Sequence, residues 1–465
     1  MRLRTASRVV TWVLLLFACG TALAPLAAAG LPMPAVPAIP YHQRTLANGL
    51  QVFSVEDRSS SDVAVQMWYR VGSRNDPPGR PGLASLLQQL AFKRPAHACA
   101  SDTGAAAKEK GGARNASSDE DVTRYDDVAP ASCLETLLRA EAGGLASLDV
   151  DPRNFASGRA LAEEAYRQRV LAQPHGPLFS AIDAYSYAQY PYRRPAIGSL
   201  AGLQAASLRD VMNFHKTYYR PDNAALIVVG NFDPAQLDAW VDRYFGGIAR
   251  PPLPLPRVDA REPARRKHER RVVTDVTAPQ PAVALTWLIP PAADAADALA
   301  LQVAAALLAQ GDSSRLYRSL VYRHQVARQV GADASGRIGP GLLTLYAVLV
   351  HGRRPAEAEK LLDEEIIWLA TQPIQPAELA RVKTQLLADA LAQRRTPQGV
   401  ALALGRAALI DGNPGRVNTD PAALQKITAK DVHRALRKYV IDARSITIDY
   451  LPQAGATVAG RGAAK

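Results

Sequence analysis

Asp210, Val211, Tyr218 and Ile227 recur as Asp431, Val432, Tyr439 and Ile448, each displaced by 221 residues (431 minus 210). One fixed offset shared by residues of unlike chemistry marks two copies of one structural unit, and it confines the chain to folds built twice over. Upstream, the alternating run Val63–Tyr69, containing Trp68, is echoed by Val283–Ile289, containing Trp287, at an offset of 219 (287 minus 68). In a chain of 465 residues, 48% of them hydrophobic, each copy is long enough to bury a core of its own. The copies are assigned to residues 40–249 and 271–452. Between them, 250–270 combines Pro with dense charge and no apolar periodicity, which reads as a linker. Residues 453–465 are Ala- and Gly-rich, have little to bury, and read as a flexible tail.

Periodicity gives the content of each copy. In the first, Gln51–Val55 and Val63–Tyr69 alternate as strands do, and Ala224–Val229 is a short apolar strand. Gly82–Phe92, Cys133–Ala146, Arg159–Leu171, Leu208–Tyr219 and Pro234–Phe245 carry helical spacing. The second copy runs similarly, so the fold class is α+β, with two homologous halves that each pack helices on a β-sheet.

The N-terminus constrains the address. Arg2, Arg4 and Arg8 precede an apolar run, Val9–Ala18, and the small residues Ala27–Gly30, the pattern of a signal peptide over residues 1–29. The expected localisation is exported and periplasmic. Leu16–Cys19 admits a second reading as a lipoprotein box, with a lipid anchor at Cys19. Losing three Arg and no acid takes the formal charge from +12 to +9. That balance is read as a solvated Arg-rich surface, and no nucleic-acid role is inferred. Cys99 and Cys133 remain, and an oxidising compartment permits a disulfide between them, although sequence supplies no distance to choose between a bond and two free thiols.

The segment Pro81–Arg94, PGLASLLQQLAFKR, carries the functional argument. Leu83, Leu86, Leu87 and Leu90 form the i, i+3, i+4, i+7 stripe of a core-facing helix. Ser85, Gln88 and Gln89 stand off that stripe. With TLANGLQVF (Thr45–Phe53), GGARNASSDEDVTRY (Gly111–Tyr125), YYRPDNAALIVVGNFD (Tyr218–Asp233) and SSRLYRSLVYRHQVA (Ser313–Ala327), the helix resembles the insulinase or pitrilysin family of zinc peptidases, peptidase family M16, in its bacterial and mitochondrial-processing-peptidase-like subgroup. The likeness runs from about Tyr41 to Leu451 and implies two halves closing like a clam on an extended peptide.

The family's helix carries an inverted H-x-x-E-H box, two imidazoles one turn apart that bind zinc and a Glu that deprotonates the zinc-bound water. Here Ser85, Gln88 and Gln89 occupy those places. Two neutral oxygen donors are poor zinc ligands, and an amide is no base. No catalytic residue and no bound metal are therefore expected, zinc belonging to the active members of the family. The resemblance places a remnant ligand at Glu164, 75 residues after Gln89 (164 minus 89), or at its neighbour Glu163, and a peptide-pairing strand at Asn115, Ala116 and Ser117. In the second half Tyr322 and Arg328 do not reproduce the Arg and Tyr pair that steadies substrate in paired relatives. No two of the eight histidines are closer than His324 and His351, so no local helical ligand pair replaces the box. Ser85 as a nucleophile lacks a visible base.

The leading expectation is a non-catalytic, exported homologue that partners an active zinc-bearing insulinase-family subunit as a heterodimer, or pairs with itself, and helps to bind extended peptides. Two alternatives stand beside it: a periplasmic peptide-binding protein acting alone, and a zinc metalloendopeptidase with unorthodox ligation.

Overall fold

The computed structural model describes residues 33–92, 113–189 and 191–453. In the first half, β1 (His42–Thr45), β2 (Gln51–Glu56), β3 (Asp62–Tyr69), β4 (Ala113–Ser118), β5 (Thr123–Pro130) and β6 (Ala224–Gly230) form one sheet in the order β1-β2-β6-β3-β5-β4. In the second, β7 (Glu269–Asp275), β8 (Ala282–Ile289), β9 (Ala327–Ser335), β10 (Gly341–Leu349) and β11 (Ile446–Pro452) are ordered β7-β11-β8-β10-β9. With β1 set aside, the two orders are one permutation. The last strand of each half inserts between its first two, β6 parallel to β2 and antiparallel to β3, β11 parallel to β7 and antiparallel to β8. The repeat in sequence is a repeat of topology.

The helices of the first half are α1 (Leu83–Phe92), α2 (Leu134–Ala146), α3 (Pro152–Tyr166), α4 (Gly176–Ser186), α5 (Leu200–Ala205), α6 (Leu208–Tyr218) and α7 (Pro234–Phe245). Those of the second are α8 (Ala295–Ala309), α9 (Pro355–Thr371), α10 (Pro376–Gln393), α11 (Pro397–Leu409), α12 (Arg416–Lys426) and α13 (Ala429–Leu436). Among the described residues no helix is long and apolar enough to cross a membrane.

Strand alternation divides each sheet between two cores. Along β3, Val63, Val65, Met67 and Tyr69 face the first half's own helices, whereas Ala64 and Trp68 face the other way. Along β8, Val283, Leu285, Trp287 and Ile289 face the second half's helices, and Ala282 and Ala284 the opposite side. Each outer face is covered by a helix of the other half. From the second half, α11 packs on β3 and β6, with Ala401, Leu404 and Ala408 against Phe53, Ile227 and Val229. From the first half, α4 packs on β7, β8 and β11, with Leu178 and Ile182 against Ile446, Ile448 and Tyr450. These exchanged helices start 221 residues apart (397 minus 176), the offset of the repeat. Both sheets are therefore buried on two faces, which is why β6, AALIVVG, reads as a continuous apolar run.

Close approach at the seam is built in. A Cβ on Gly405 of α11 would lie 2.4 Å from the Trp68 ring, so only glycine lets the helix sit on that indole. Beside it Gln66, fully buried, takes the Trp68 indole N–H on Oε1 at 2.9 Å and donates to Asp126 (3.1 Å) and to the Gln398 carbonyl of α11 (3.2 Å).

The segment read as a linker is a fitted strap, and it is shorter than 250–270. β7 begins at Glu269, where parallel pairing with Ile446 of β11 supplies backbone partners. Ahead of it Arg265 donates to the Ser186 carbonyl (2.7 Å) and the Thr286 carbonyl (2.6 Å), one from each half. Glu262 accepts from the amides of Ala188 and Gln189 at 2.9 Å. At the other end of the described chain, Met33 and Val36 pack on the second-half core, and Ile39 exchanges two hydrogen bonds with Asn418 before the chain enters β1.

Candidate functional site

Asp76 sets α1 in place. Its carboxylate accepts the N–H groups of Gly82 (2.6 Å) and Ala84 (2.8 Å), first-turn donors that have no partner inside a helix. Burial pushes this carboxyl up, to about 7, against the opposing pull of Arg194 and the backbone donors. Asp76→Ala leaves both amides buried without an acceptor and is expected to cost about 1–3 kcal/mol per group. Asp76→Asn keeps an acceptor and should lose clearly less; urea unfolding of the two variants checks this.

Leu83, Leu86, Leu87 and Leu90 are buried in the first-half core, as their spacing requires. On the rest of the helix Ser85 is 9% exposed, and Gln88 and Gln89 are half-buried. The helix packs on β4 and on α3. Contact with α3 is close because α3 carries a glycine there: a Cβ on Gly158 would meet Leu90 Cδ2 at 2.2 Å. Glu163 and Glu164 lie one to two turns further along α3 and are tied to Arg167, at 3.2 Å and 3.5 Å. Gln168 donates to Glu164 at 2.7 Å, and this bond together with Arg167 holds the Glu164 carboxyl below its ordinary range. Nothing in the sequence reading pointed to Arg167, although its place at i+4 and i+3 from the two acids was the signal.

Among the described residues β4 is the edge of its sheet and pairs only with β5, Asn115 opposite Asp126, Ala116 opposite Tyr125 and Ser117 opposite Arg124. Asn115 and Ser117 are exposed; Ala116 packs on the core. The structure thus brings α1, the edge strand and the helix of the acid pair together. Tyr322 lies far out of any core, 78% exposed. Cys133, which precedes α2, is disulfide-bonded; Cys99, Cys19 and the whole of 1–29 and 454–465 lie outside the described residues.

The residues present do not fit zinc. Tight sites use imidazole, thiolate or carboxylate, and a catalytic site needs three such protein ligands. Here the helix offers a hydroxyl and two amides, and Glu163 and Glu164 are engaged by the Arg167 guanidinium. Among the described residues no group of three or more His, Cys, Asp or Glu is placed to hold a metal ion. No step through a metal is derived. A cavity of about 830 Å³ lies elsewhere, in the seam between the halves, lined by α8, β9, Arg406, Asp411 and the turn Asp119–Asp121.

A duplicated sheet-and-helix body, with a short core helix beside the edge strand of its sheet, defines a metallopeptidase-type scaffold. Comparison with known proteins agrees on the scaffold. Residues 51–195 match the model of the insulinase family, peptidase family M16, and residues 205–386 match that of the peptidase M16 inactive domain. The chain is 28% identical over 432 residues to the zinc protease PqqE of Helicobacter pylori, spanning 91% of this chain and 96% of that protein. It superposes on the crystal structure of a protease from Helicobacter pylori with a TM-score of 0.83 at 26% identity, covering 90% of this chain and 100% of that one. It also superposes on the peptidase M16 inactive domain from Pseudomonas fluorescens with a TM-score of 0.76 at 16% identity, covering 89% and 98%. The chain belongs to peptidase family M16, the insulinase-like peptidases.

Proposed function

We propose that this chain is a non-catalytic member of the family that acts in the periplasm beside an active zinc-bearing homologue, presenting extended peptide to it. One observation carries the reading: α1 is fully anchored by Asp76 and its leucine stripe, while the three side chains that would do the chemistry are Ser85, Gln88 and Gln89. A scaffold kept with its reactive face exchanged is suited to binding and pairing. Co-purification and size-exclusion chromatography with an M16 homologue that has an intact box test it. The expected result is a 1:1 complex whose peptidase activity differs from that of the homologue alone; separate elution with unchanged activity would sink the proposal.

The edge position of β4 favours a second reading, a peptide-binding protein acting alone by strand addition. Saturable binding of an extended peptide by the isolated chain, abolished by Ala116→Pro, which removes a backbone donor from the edge, would select it. The address, including the alternative of a lipid anchor at Cys19, is settled by fractionating cells that express wild type and Cys19→Ala.

A further inference from the structure

We propose that the seam between the two halves is a proton-dependent latch, in which Arg337 of the β9–β10 turn is gripped by two carboxylates of the first half, Glu120 and Asp183, and the grip weakens when both are ionised. Arg337 is 8% exposed and enters the first half from the second. Its guanidinium lies 2.8 Å from Asp183 and 3.6 Å from Glu120, and its centre sits 4.9 Å and 5.2 Å from the rings of Tyr187 and Tyr192. The same turn is seated by its backbone. Ile338 N–H donates to Asp121 (2.8 Å), Gly339 N–H to the Tyr192 hydroxyl (2.9 Å), and the Pro340 carbonyl accepts from Tyr187 (2.9 Å).

The charges do not balance. Asp121 is matched by Arg74 at 3.1 Å and receives the Tyr192 hydroxyl at 2.7 Å, which leaves two carboxylates for one guanidinium. Among the described residues the groups around Glu120 do not supply a second cation at contact distance. Its own turn adds Asp119 and Asp121, and Tyr187 on the adjoining loop is neutral. Across the seam cavity stand Asp333, Arg406, Asp411 and the Arg416–Asp420 pair, the last joined at 2.9 Å. Arg406 is exposed on α11, and its field is shared with Asp119 and Asp411. A surplus of one negative charge on two largely shielded carboxylates, with side chains 19% and 17% exposed, is most cheaply removed by keeping one proton. Burial raises both carboxyls, Glu120 to about 7, with Arg337 opposing the shift at each.

The sign follows from linkage. An acid whose pKa is raised in the folded state gives its full stabilisation below the unfolded value, near 4.5, and loses it as pH rises through the folded value, near 7. The halves are therefore held more firmly at pH 5 than at pH 8.5. Glu120→Gln fixes the protonated shape and should remove the dependence.

Urea unfolding of the full chain and of Glu120→Gln between pH 5 and 8.5 reads this directly. The expected result is that the two coincide near pH 5 and diverge as pH rises, the wild type losing on the order of a hundredfold in its folding equilibrium constant relative to the variant. Curves that run parallel across the range would overturn the latch. Amide exchange of residues 336–339 in the wild type, corrected for the intrinsic effect of pH, stands without any variant. Protection that falls from pH 6 to 8 supports the proposal, and protection that is constant refutes it.

Discussion

The purified wild-type chain is expected to hold no stoichiometric zinc and to cleave no fluorogenic peptide in a chelator-sensitive way, whereas Ser85→His, Gln88→Glu and Gln89→His combined should create a zinc site. The single absences multiply. Without two imidazoles there is no metal to lower the pKa of water, and without Glu at position 88 there is no base, a loss of about 10² to 10⁴ by itself. The triple variant restores two ligands on one helix face, and the third must come from Glu163 or Glu164. Because Arg167 now engages both acids, the triple variant should bind zinc weakly, and adding Arg167→Gln should tighten it. Elemental analysis and competition with a chromogenic chelator give the two numbers needed. Stoichiometric zinc in the wild type would show that the chain has built a metal centre from other residues. Equal zinc affinity with and without Arg167 would remove the acid pair from the site. Position 85 carries its own cost, since Ser85 is 9% exposed and a larger ring there adds overpacking of about 1–3 kcal/mol.

How far these features can be read from sequence depends on whether their causes are local. The leucine stripe of α1 is written within two consecutive turns, and the expected Gly82–Phe92 differs from the observed Leu83–Phe92 only at the cap. Pro234–Phe245 is found as expected because Asp233 caps it and Pro234 begins it. The same Asp-Pro signal at Asp151–Pro152 was overlooked. α3 starts there and not at Arg159, since apolar spacing begins only further on, and its expected end, Leu171, falls in a π turn over Arg167–Leu171. α4, GPLFSAIDAYS, was absent from the sequence reading altogether. Its apolar residues answer to a sheet more than 90 residues downstream, and no local pattern states that address. Arg337 was invisible for a like reason, as its carboxylate partners Glu120 and Asp183 lie in the other half, whereas Asp76 caps a helix only six residues on and was simply passed over. Ser85, Gln88 and Gln89 are read directly as residue identities, and the Arg167 contacts with Glu163 and Glu164 were within reach of the sequence too, through their i+4 and i+3 spacing.

Reciprocal helix exchange makes the two halves one folding unit, and the first half expressed alone, residues 33–268, should not persist as a soluble monomer. In the full chain α11 covers Phe53, Val55, Trp68, Ile227 and Val229 on the outer face of the first sheet. Exposing five such side chains forfeits about 1.5–3 kcal/mol each, so roughly 10 kcal/mol, against a total stability of about 5–15 kcal/mol for an ordinary domain. The bare face would also be a continuous apolar patch prone to association. Expression trials with sedimentation or size-exclusion analysis give the outcome, and a compact, monodisperse first half would show that α11 is dispensable. The full-length variant Gly405→Leu tests the same contact without truncation. Its first added carbon already meets Trp68 at 2.4 Å, so α11 must lift off the sheet, at a cost of about 1–3 kcal/mol or more. If the halves are coupled as the structure places them, that loss lowers one shared unfolding transition. Were the halves independent, calorimetry would instead split into two transitions, with the second-half transition left at its wild-type temperature. The exchange also holds the fold against change at α1: the first half cannot be relaxed or lost without uncovering the second, because α4 is the roof of β8 and β11.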